Sequence, residues 1–276
     1  MHTSMDENRT QRVLLCIDNR AGYETLRYLV ARPGVEVVAA IMHPEKNATF
    51  RDEILAFCAE SGVPAIDIRQ ARKQFDQLIA PLEPDFIVSI FFDYILDDRF
   101  IALPKRDAIN LHPGYLPYNK GFYYYAWAVL DGTPAGVSIH RIVSEVDAGP
   151  IISQMRVTVD PHDTGETIYD KHMNASIALF KSTWPALESD IYKVFPQRHA
   201  GTRKLITETN QAIELDPYET CTTRELIDKL RVFSFSSGAG CIVRIDGRKY
   251  VVGIELIEVA DQNIRIPGKR DNCVVS

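Results

Sequence analysis

Apolar runs and amphipathic segments alternate along the first half of the chain. Residues 13–17, 35–42, 65–68 and 86–92 are short apolar runs, which are typical of parallel strands covered on both faces. Between them, residues 22–31, 51–61 and 70–80 space their apolar side chains at helical intervals, and Pro33-Gly34 ends the first of these helices. Alternating strands and helices predict an α/β domain with a mostly parallel, twisted sheet and right-handed crossovers.

Polar and titratable residues interrupt this pattern between residues 108 and 154. In an extended segment at 108–112, Asn110 and His112 lie on one face and their apolar neighbours on the other. Pro113-Gly114 ends that strand, so the pair lies at its carboxyl end, where open α/β sheets bind ligands. Residues 136–142 and 150–157 predict two further strands, and the loop that joins them carries Asp147. We expect Asp147 to reach over the strand end.

The second half of the chain predicts a long helix and then a smaller domain. The helix begins after Thr164, which is a suitable N-cap, and Pro185 is expected to kink it. Residues 197–204 are polar and predict a linker. Beyond them, a helix at 222–230 and a hairpin turning at Asp246-Gly247 predict a small α+β unit. We therefore predict a disordered N-terminus at 1–10, a catalytic domain at 11–196 and a C-terminal domain at 197–276.

Composition excludes several classes of protein. A net charge of -6, with 31 basic and 37 acidic residues among 276, disfavours a nucleic-acid-binding protein. No membrane span or signal peptide is recognisable, so a cytoplasmic protein is expected. Five scattered cysteines without a C-x-x-C motif indicate reduced thiols and no zinc or other metal site. The first strand lacks the G-x-G-x-x-G fingerprint, so NAD or FAD is not predicted.

Five short motifs in the region 110–152 resemble the N10-formyltetrahydrofolate-dependent formyltransferases. They are Asn110-Leu111-His112-Pro113, Leu116-Pro117, Lys120-Gly121, GVSIH at residues 136–140 and VDAGPII at residues 146–152. The resemblance covers residues 13–194, and residues 231–252 resemble more weakly the small β-domain that some members carry. The tyrosine-rich stretch 114–127 is most similar to the branch that formylates sugar nucleotides. The resemblance implies a Rossmann-like formyltransferase fold with a small β-rich C-terminal domain.

The resemblance also implies roles for three residues. Formyl transfer requires an amine to attack the formyl carbon, an anionic oxygen to be stabilised and a proton to leave the nitrogen. Asn110 would donate hydrogen bonds to that oxygen, and His112 would take the amine's proton at neutral pH. Asp147 would orient His112 and raise its basicity, or would order a water molecule in the proton path.

Further residues are expected to bind the two substrates. The loop after the fourth strand and the 143–147 connection would bind the folate co-substrate, N10-formyltetrahydrofolate, although the larger apolar members could instead be core. These residues are Phe91, Tyr94, Ile95, Leu96, Val143 and Val146. The acceptor is expected at a set comprising Tyr115, Tyr118, Asn119, Lys120, Ser138 and His140. The loop 115–120 could instead pack at a dimer interface, and His140 could be structural. Tyr123, Tyr124 and Tyr125 are interpreted as packing residues of a helix.

Three functions fit these observations. The first is an N-formyltransferase that acts on a nucleotide-linked amino-dideoxy sugar, with dTDP-linked 3- or 4-amino-dideoxyhexoses as first candidates, for the biosynthesis of bacterial surface polysaccharide (O-antigen). The second is a methionyl-tRNA formyltransferase-like enzyme, which predicts a larger basic C-terminal domain. The third is a non-catalytic sugar-nucleotide-binding relative. Glycinamide ribonucleotide is a further possible acceptor, and the sugar-formylating relatives imply a homodimer.

Overall fold

The computed structural model describes residues 10–259 of the chain. Residues 1–9, nearly all of the predicted disordered N-terminus, and residues 260–276 lie outside the described residues. The strands are β1 (Gln11–Ile17), β2 (Val35–Met42), β3 (Ala65–Asp67), β4 (Phe86–Ile90), β5 (Asp107–His112), β6 (Lys120–Gly121), β7 (Gly136–Arg141), β8 (Ile151–Arg156), β9 (Arg203–Lys204), β10 (Glu214–Leu215), β11 (Cys241–Ile245) and β12 (Arg248–Val252). The α-helices are α1 (Asn19–Val30), α2 (Arg51–Ser61), α3 (Ile68–Lys73), α4 (Asp98–Ala102), α5 (Tyr124–Leu130), α6 (Gly165–Glu188), α7 (Ile206–Ile213) and α8 (Thr223–Val232).

A seven-stranded sheet forms the centre of the fold, in the order β3-β2-β1-β4-β5-β7-β8. The five strands from β3 to β5 are parallel, whereas β7 and β8 are antiparallel to their neighbours. Buried apolar clusters cover both faces of this sheet, which explains the uninterrupted apolar sequence of β1, β2 and β4. The predicted α/β fold with a mostly parallel sheet and a hairpin extension is confirmed.

The long helix α6 lies against one face of the sheet. Its N-terminus is a capping box, in which Thr164 and Thr167 each accept the other's backbone N–H. Its buried side chains, including Phe180 and Trp184, join the core cluster that contains β1 and β4. Pro185 lies inside the helix near its end, and the kink expected there stays a prediction.

Two segments differ from the prediction. The helix expected at 70–80 is interrupted: α3 ends at Lys73, a π-helical turn follows at Phe75–Ile79, and a 3-10 turn at Ala80–Leu82 completes the connection. The polar segment 197–204 is not a free linker, because its end forms β9 and pairs with β6. Gln197 in the same segment donates hydrogen bonds to the backbone oxygens of Asp147 and Gly149. The segment is polar because it binds backbone groups of the catalytic region.

A second sheet, β10-β11-β12, follows the predicted linker. β11 and β12 form the predicted hairpin, and its turn places Asp246 and Gly247 at positive φ, the conformation that a two-residue hairpin turn requires. Helix α7 was not predicted. A third apolar cluster joins α5 and α6 to α8 and β11. The smaller unit is therefore packed against α5 and the start of α6. Among residues 10–259, no helix is both long and apolar enough to cross a membrane.

Candidate active site

A pocket of about 320 Å³ opens at the carboxyl ends of β4 and β5. Asn110 and His112 both line it, and Asp147 lines it from the loop between β7 and β8. The three residues that were expected to converge are therefore brought together by the fold. The reversal after β5 depends on Gly114, since a Cβ atom there would lie 2.5 Å from the Nε2 of His112. A glycine at this position lets the chain turn back beneath the imidazole.

The hydrogen bonds of His112 determine which of its nitrogens carries the proton. Its Nε2 lies 2.9 Å from the backbone oxygen of Asn119, which can only accept a hydrogen bond. The proton of the neutral ring is therefore on Nε2, and Nδ1 holds a free electron pair. Nδ1 lies 3.5 Å from the Oδ2 atom of Asp147. A proton taken up by Nδ1 would form an imidazolium beside a carboxylate.

Backbone contacts hold Asp147 over the strand end. The residue has a φ of 54°, and its Oδ2 atom accepts a hydrogen bond of 3.2 Å from the N–H of Gly121. The loop can close only because Gly149 has no side chain: a Cβ atom there would lie 1.8 Å from the backbone oxygen of Arg141. Gln197 binds the loop from the opposite side, as described above. The carboxylate position is therefore fixed by three separate chain segments.

His140 links Asn110 to the same carboxylate. Its Nδ1 donates to the backbone oxygen of Arg141 at 2.8 Å, so its Nε2 is an acceptor in the neutral ring. The Nδ2 of Asn110 lies 3.1 Å from that Nε2 and donates to it. The Oδ1 atom of Asp147 lies farther from His140 Nε2, at 3.5 Å. This bond orients the Asn110 amide and leaves its second N–H free for a ligand.

Burial and charge set the protonation states of the pair. Burial lowers the pKa of His112 below its ordinary value, and the Asp147 carboxylate offsets this only in part. Burial also acts to raise the pKa of Asp147. Three neighbouring groups outweigh this effect and hold the pKa of the carboxyl well below its usual range: His112, His140 and the N–H of Gly121. At neutral pH the site therefore contains a neutral imidazole next to an ionised carboxylate.

All six residues expected to bind folate line the pocket. Phe91, Tyr94, Ile95 and Leu96 lie on the loop after β4, and Val143 and Val146 lie on the loop before β8. Phe91 adopts a φ of 50°, which ends the strand and turns the following side chains towards the pocket. Ile95 and Val143 are the more exposed members, at 65% and 39%. The two loops form an apolar wall that faces Asn110 and His112.

The structure places only one of the six residues expected to bind the acceptor at the pocket. His140 lines the pocket, whereas five others do not: Tyr115, Tyr118, Asn119, Lys120 and Ser138. Ser138 donates to the backbone oxygen of Gly114 and accepts from the N–H of Leu116, so it supports the loop after β5. The ring of Tyr115 stacks with Arg156, and that of Tyr118 lies 5.4 Å from His199. A direct role in acceptor binding stays a prediction for these residues.

Asn119 and Lys120 are both buried beside the pocket and do not line it. The backbone and side chain of Asn119 form hydrogen bonds with Thr202, Pro134, Thr133 and the His112 imidazole. The Lys120 side chain is also buried, and its positive charge acts to lower the pKa of His112.

The pocket has a further wall that the sequence did not indicate. It comprises Gly121, Phe122, Tyr123, Tyr124, Arg203, Lys204 and Leu205. The last three lie here because β9 pairs with β6, and strands of two residues have no hydrophobic pattern to predict. Lys204 is held by Asp131 and by the face of Trp127, 3.8 Å from its Nζ. Arg203 is exposed and has no ion-pair partner among residues 10–259.

One group of potential metal ligands lies away from the pocket. Ligand atoms of Asp160, His162 and Asp163 lie within 4.8 Å of one another. The Nζ of Lys171 donates to both carboxylates, at 2.7 Å and 2.5 Å. Lys171 therefore already occupies both carboxylates and balances one of their two charges.

The sequence matches the formyl transferase family over residues 16–183, which is more than half of the chain. The chain belongs to this family. Residues 208–258 match a second family, the N-formyltransferase dimerization C-terminal domain. The resemblance seen in the motifs at 110–152 is thereby confirmed, and the chain is a formyltransferase.

Solved structures of sugar formyltransferases share the fold. A 4-N formyltransferase from Francisella tularensis superposes with a TM-score of 0.79 at 20% identity, covering 91% of this chain and 100% of that one. A sugar N-formyltransferase from Shewanella sp FDAARGOS_354 gives 0.76 at 20% identity, covering 91% and 100%. The N-formyltransferase from Helicobacter canadensis, in complex with folinic acid and dTDP-3-aminofucose, gives 0.67 at 20% identity, covering 92% and 93%. At this identity the likeness is one of fold.

Proposed function

We propose that this formyltransferase transfers the formyl group of N10-formyltetrahydrofolate to the amine of a nucleotide-linked amino-dideoxy sugar. The observation that carries the proposal is the convergence of Asn110, His112 and Asp147 at one pocket, which apolar side chains of two loops also line. A neutral base beside an ionised carboxylate is of no use to a protein that only binds sugar nucleotides, which disfavours the non-catalytic alternative.

His112 is proposed as the general base. The amine loses a proton as it attacks the formyl carbon, and the free electron pair on Nδ1 accepts that proton directly or through one water molecule. The bond between the formyl carbon and N10 then breaks, and N10 takes up the proton as tetrahydrofolate leaves. The Nε2–H group keeps its hydrogen bond to the backbone oxygen of Asn119 throughout the reaction. The charge formed on the ring is stabilised by the Asp147 carboxylate, 3.5 Å from Nδ1. Asp147 thus acts on the protonated base.

Asn110 is proposed to stabilise the oxygen of the formyl group as that oxygen becomes anionic. The bond to His140 fixes the orientation of the amide, so its second N–H is positioned in advance. A donor that needs no reorganisation during the reaction is the kind that contributes most to stabilising developing charge. His140 is accordingly a positioning residue in this proposal.

The apolar wall suits the folate co-substrate, which supplies the formyl group. A flat heteroaromatic ring system needs apolar surfaces for its faces and a few polar groups at its edge. Phe91, Leu96 and Val146 provide such surfaces beside the site where the formyl group would react. The loop backbone between Phe92 and Ile95 offers polar groups at the rim.

The wall formed by residues 121–124 and 203–205 suits a charged acceptor. Arg203 lines the pocket and has no ion-pair partner in the described part of the chain, and a guanidinium group binds phosphate oxygens in a bidentate manner. A nucleoside diphosphate carried by the amino sugar would supply such oxygens. The Helicobacter canadensis relative binds a dTDP-linked amino sugar, which supports dTDP as the first nucleotide to test. Synthesis of a formylated sugar for bacterial surface polysaccharide (O-antigen) is proposed as the biological role.

The same proposal includes a homodimer. The match to a dimerization domain covers β10, β11 and β12. Within this sheet Ile245, Tyr250 and Val251 expose 49%, 45% and 59% of their surface. In the β11–β12 hairpin Val251 pairs with Ile242, so these two side chains lie on the face opposite the one that Cys241 and Val243 bury. An exposed apolar side chain there favours association through the face that carries Ile242 and Val251.

The proposal is tested by supplying N10-formyltetrahydrofolate together with one acceptor at a time. The acceptors are dTDP-, GDP- and UDP-linked 3-amino and 4-amino sugars, and products are identified by mass spectrometry. Formylation of a single nucleotide sugar would establish both the nucleotide and the ring position. The proposal is wrong if none of these sugars is formylated while methionyl-tRNA or glycinamide ribonucleotide is.

A further inference from the structure

A buried histidine outside the pocket is bonded to one of the loops that line it. His43 follows β2 and is 1% exposed. Its Nε2 accepts a hydrogen bond of 3.0 Å from the backbone N–H of Asp93, which lies in the loop after β4. That loop, residues 91–96, contains four of the six residues expected to bind folate, and all of its residues line the pocket. His43 therefore bonds to the pocket wall without lining the pocket itself.

The bond from Asp93 determines which nitrogen of His43 carries the proton. A ring nitrogen that accepts from an N–H group has no proton, so in the neutral ring the proton is on Nδ1. Nδ1 lies 3.3 Å from the backbone oxygen of Asn47 and 3.5 Å from the Oδ2 atom of Asp18. Asp18 is itself held by Thr49, whose backbone N–H and hydroxyl donate to its carboxylate at 2.9 Å and 2.7 Å. The imidazole is therefore oriented on one side, and its other nitrogen accepts from the loop.

Few hydrogen bonds hold the backbone of this loop. Within the part of the chain that the structure describes, residues 92–96 make no hydrogen bond between backbone groups. Side chains bond to their backbone at two points instead: His43 at the N–H of Asp93, and Arg72 at the backbone oxygen of Ile95. His43 is the more buried of these two side chains. The conformation of the loop therefore depends on a histidine that is fixed in the core.

The ring of His43 also packs against the same loop. Its centroid lies 4.8 Å from that of Phe92 and 5.2 Å from that of Tyr94. Both of these aromatic residues line the pocket. A substitution that keeps an aromatic ring at position 43 would retain these contacts and lose the polar nitrogens. Packing and hydrogen bonding can therefore be separated by experiment.

We propose that His43 is a positioning residue for N10-formyltetrahydrofolate, which holds the loop 91–96 in the conformation that binds this co-substrate. The inference rests on the proposed function, in which that loop binds folate. A loop that is held before the ligand arrives loses less conformational entropy on binding, so the affinity for the ligand is higher. His43 thus acts through Asp93 and takes no part in the proton transfer.

The test compares three substitutions of His43 with the wild type. His43→Phe keeps an aromatic ring and removes the acceptor. His43→Gln is the matched control, because its carboxamide oxygen lies close to the position of Nε2 and can still accept from Asp93. His43→Asn has a shorter side chain that does not reach Asp93 and stays polar beside Asp18. This last variant keeps the test decisive if the apolar ring of His43→Phe prevents folding.

Binding and turnover are measured separately. Calorimetry gives the affinity for folinic acid, the 5-formyl derivative of tetrahydrofolate, without need of an acceptor. We expect His43→Phe and His43→Asn to bind folinic acid about tenfold more weakly, the size expected for one hydrogen bond, with an equal rise in the KM for N10-formyltetrahydrofolate. For both variants, kcat and the KM for the sugar nucleotide should stay within about twofold of the wild type. His43→Gln should resemble the wild type in all of these constants.

Hydrogen exchange provides a readout of the loop itself. In mass spectrometry of the ligand-free proteins, peptides that cover residues 91–96 should exchange faster in His43→Phe and His43→Asn, because the N–H of Asp93 has lost its partner. The same peptides should exchange at the wild-type rate in His43→Gln. Peptides from α6 should exchange alike in all four proteins.

Four results would overturn the inference. The first is wild-type affinity for folinic acid in His43→Phe and His43→Asn. The second is an equal loss of affinity in His43→Gln, since this variant keeps the bond to Asp93. The third is a similar loss for folinic acid and sugar nucleotide with faster exchange in α6, which would make His43 a general structural residue. The fourth is a wild type that binds no folate, which removes the proposed function as well. The first three leave the proposed function intact.

Discussion

At the residue scale, the site depends on hydrogen bonds that decide where protons reside. Asn119 holds the proton of His112 on Nε2, and Arg141 holds that of His140 on Nδ1. Each bond leaves the opposite nitrogen as an acceptor. In His112 that nitrogen faces a carboxylate, and in His140 it faces the Asn110 amide. Two histidines on neighbouring strands thus serve different purposes, one as the proposed base and the other as a support for the proposed oxyanion donor.

Replacing the proposed base should affect turnover and leave binding intact. His112→Asn removes the atom that accepts the proton, so we expect kcat to fall by about 10²- to 10⁴-fold, the usual contribution of a general base. Affinity for the sugar nucleotide should change less than twofold by calorimetry. His162→Asn, an exposed histidine outside the pocket, is the control. Retained kcat with a large loss of affinity would assign His112 to binding.

The pH dependence of kcat/KM should report the buried imidazole. The neutral ring is the active form, so activity is lost as pH falls through the pKa of His112, which burial places below the ordinary ~6.5. Asp147→Asn removes the carboxylate that raises this pKa, and should therefore move the inflection to still lower pH and reduce the plateau. Rate profiles of both proteins between acid and neutral pH check this. An inflection that moves upward would contradict the assignment.

At the scale of elements, the strands that are buried on both faces are the ones that the sequence predicts. β1, β2 and β4 were predicted to within two residues because their side chains are buried on both faces and their sequences are continuously apolar. Asn110, His112 and Asp147 could be assigned to one site because strand alternation and the carboxyl-end rule place them there. β6 and β9 could not be predicted, because two paired residues leave no periodic signal. The part of the pocket formed by Arg203, Lys204 and Leu205 was missed for this reason, whereas Tyr123 and Tyr124, which also line the pocket, were interpreted as packing residues.

The β6–β9 pair gives a prediction about the acceptor. Arg203→Ala should raise the KM for the sugar nucleotide about tenfold with little change in kcat, since the group is proposed to bind phosphate oxygens away from the reacting carbon. Added salt should weaken binding to the wild type more than to the variant. Arg198→Ala is the matched control, because Arg198 lies in the same segment and does not line the pocket. Equal KM values for all three proteins would remove Arg203 from the acceptor site.

At the scale of the whole molecule, α5 connects the two sheets. It carries Tyr124 at the pocket, and it belongs to the apolar cluster that includes α8 and β11. The smaller C-terminal sheet is thus packed against the helix that forms one wall of the pocket. The proposed dimer would lie on the face of this sheet that carries Ile242 and Val251.

Dimer formation should depend on that face. Val251→Asp places a charge on the exposed face of the hairpin that Val251 shares with Ile242, and we expect the protein to become a monomer in light scattering after size-exclusion chromatography. Ile191→Asp is the control: Ile191 is 77% exposed on the segment after α6, far from β12 in the sequence. This control should remain dimeric. If Val251→Asp is dimeric at the same concentration as the wild type, the interface lies elsewhere.

The most direct test of the central claim is a competition for a limiting amount of isotopically labelled N10-formyltetrahydrofolate. One reaction contains the wild type with a dTDP-linked amino-dideoxyhexose, glycinamide ribonucleotide and methionyl-tRNA at equal concentrations, and a parallel reaction contains His112→Asn. We predict that the label appears in the nucleotide sugar with the wild type and in none of the acceptors, over the same time, with the variant. Label in either of the other acceptors, or equal transfer by the variant, would contradict the account.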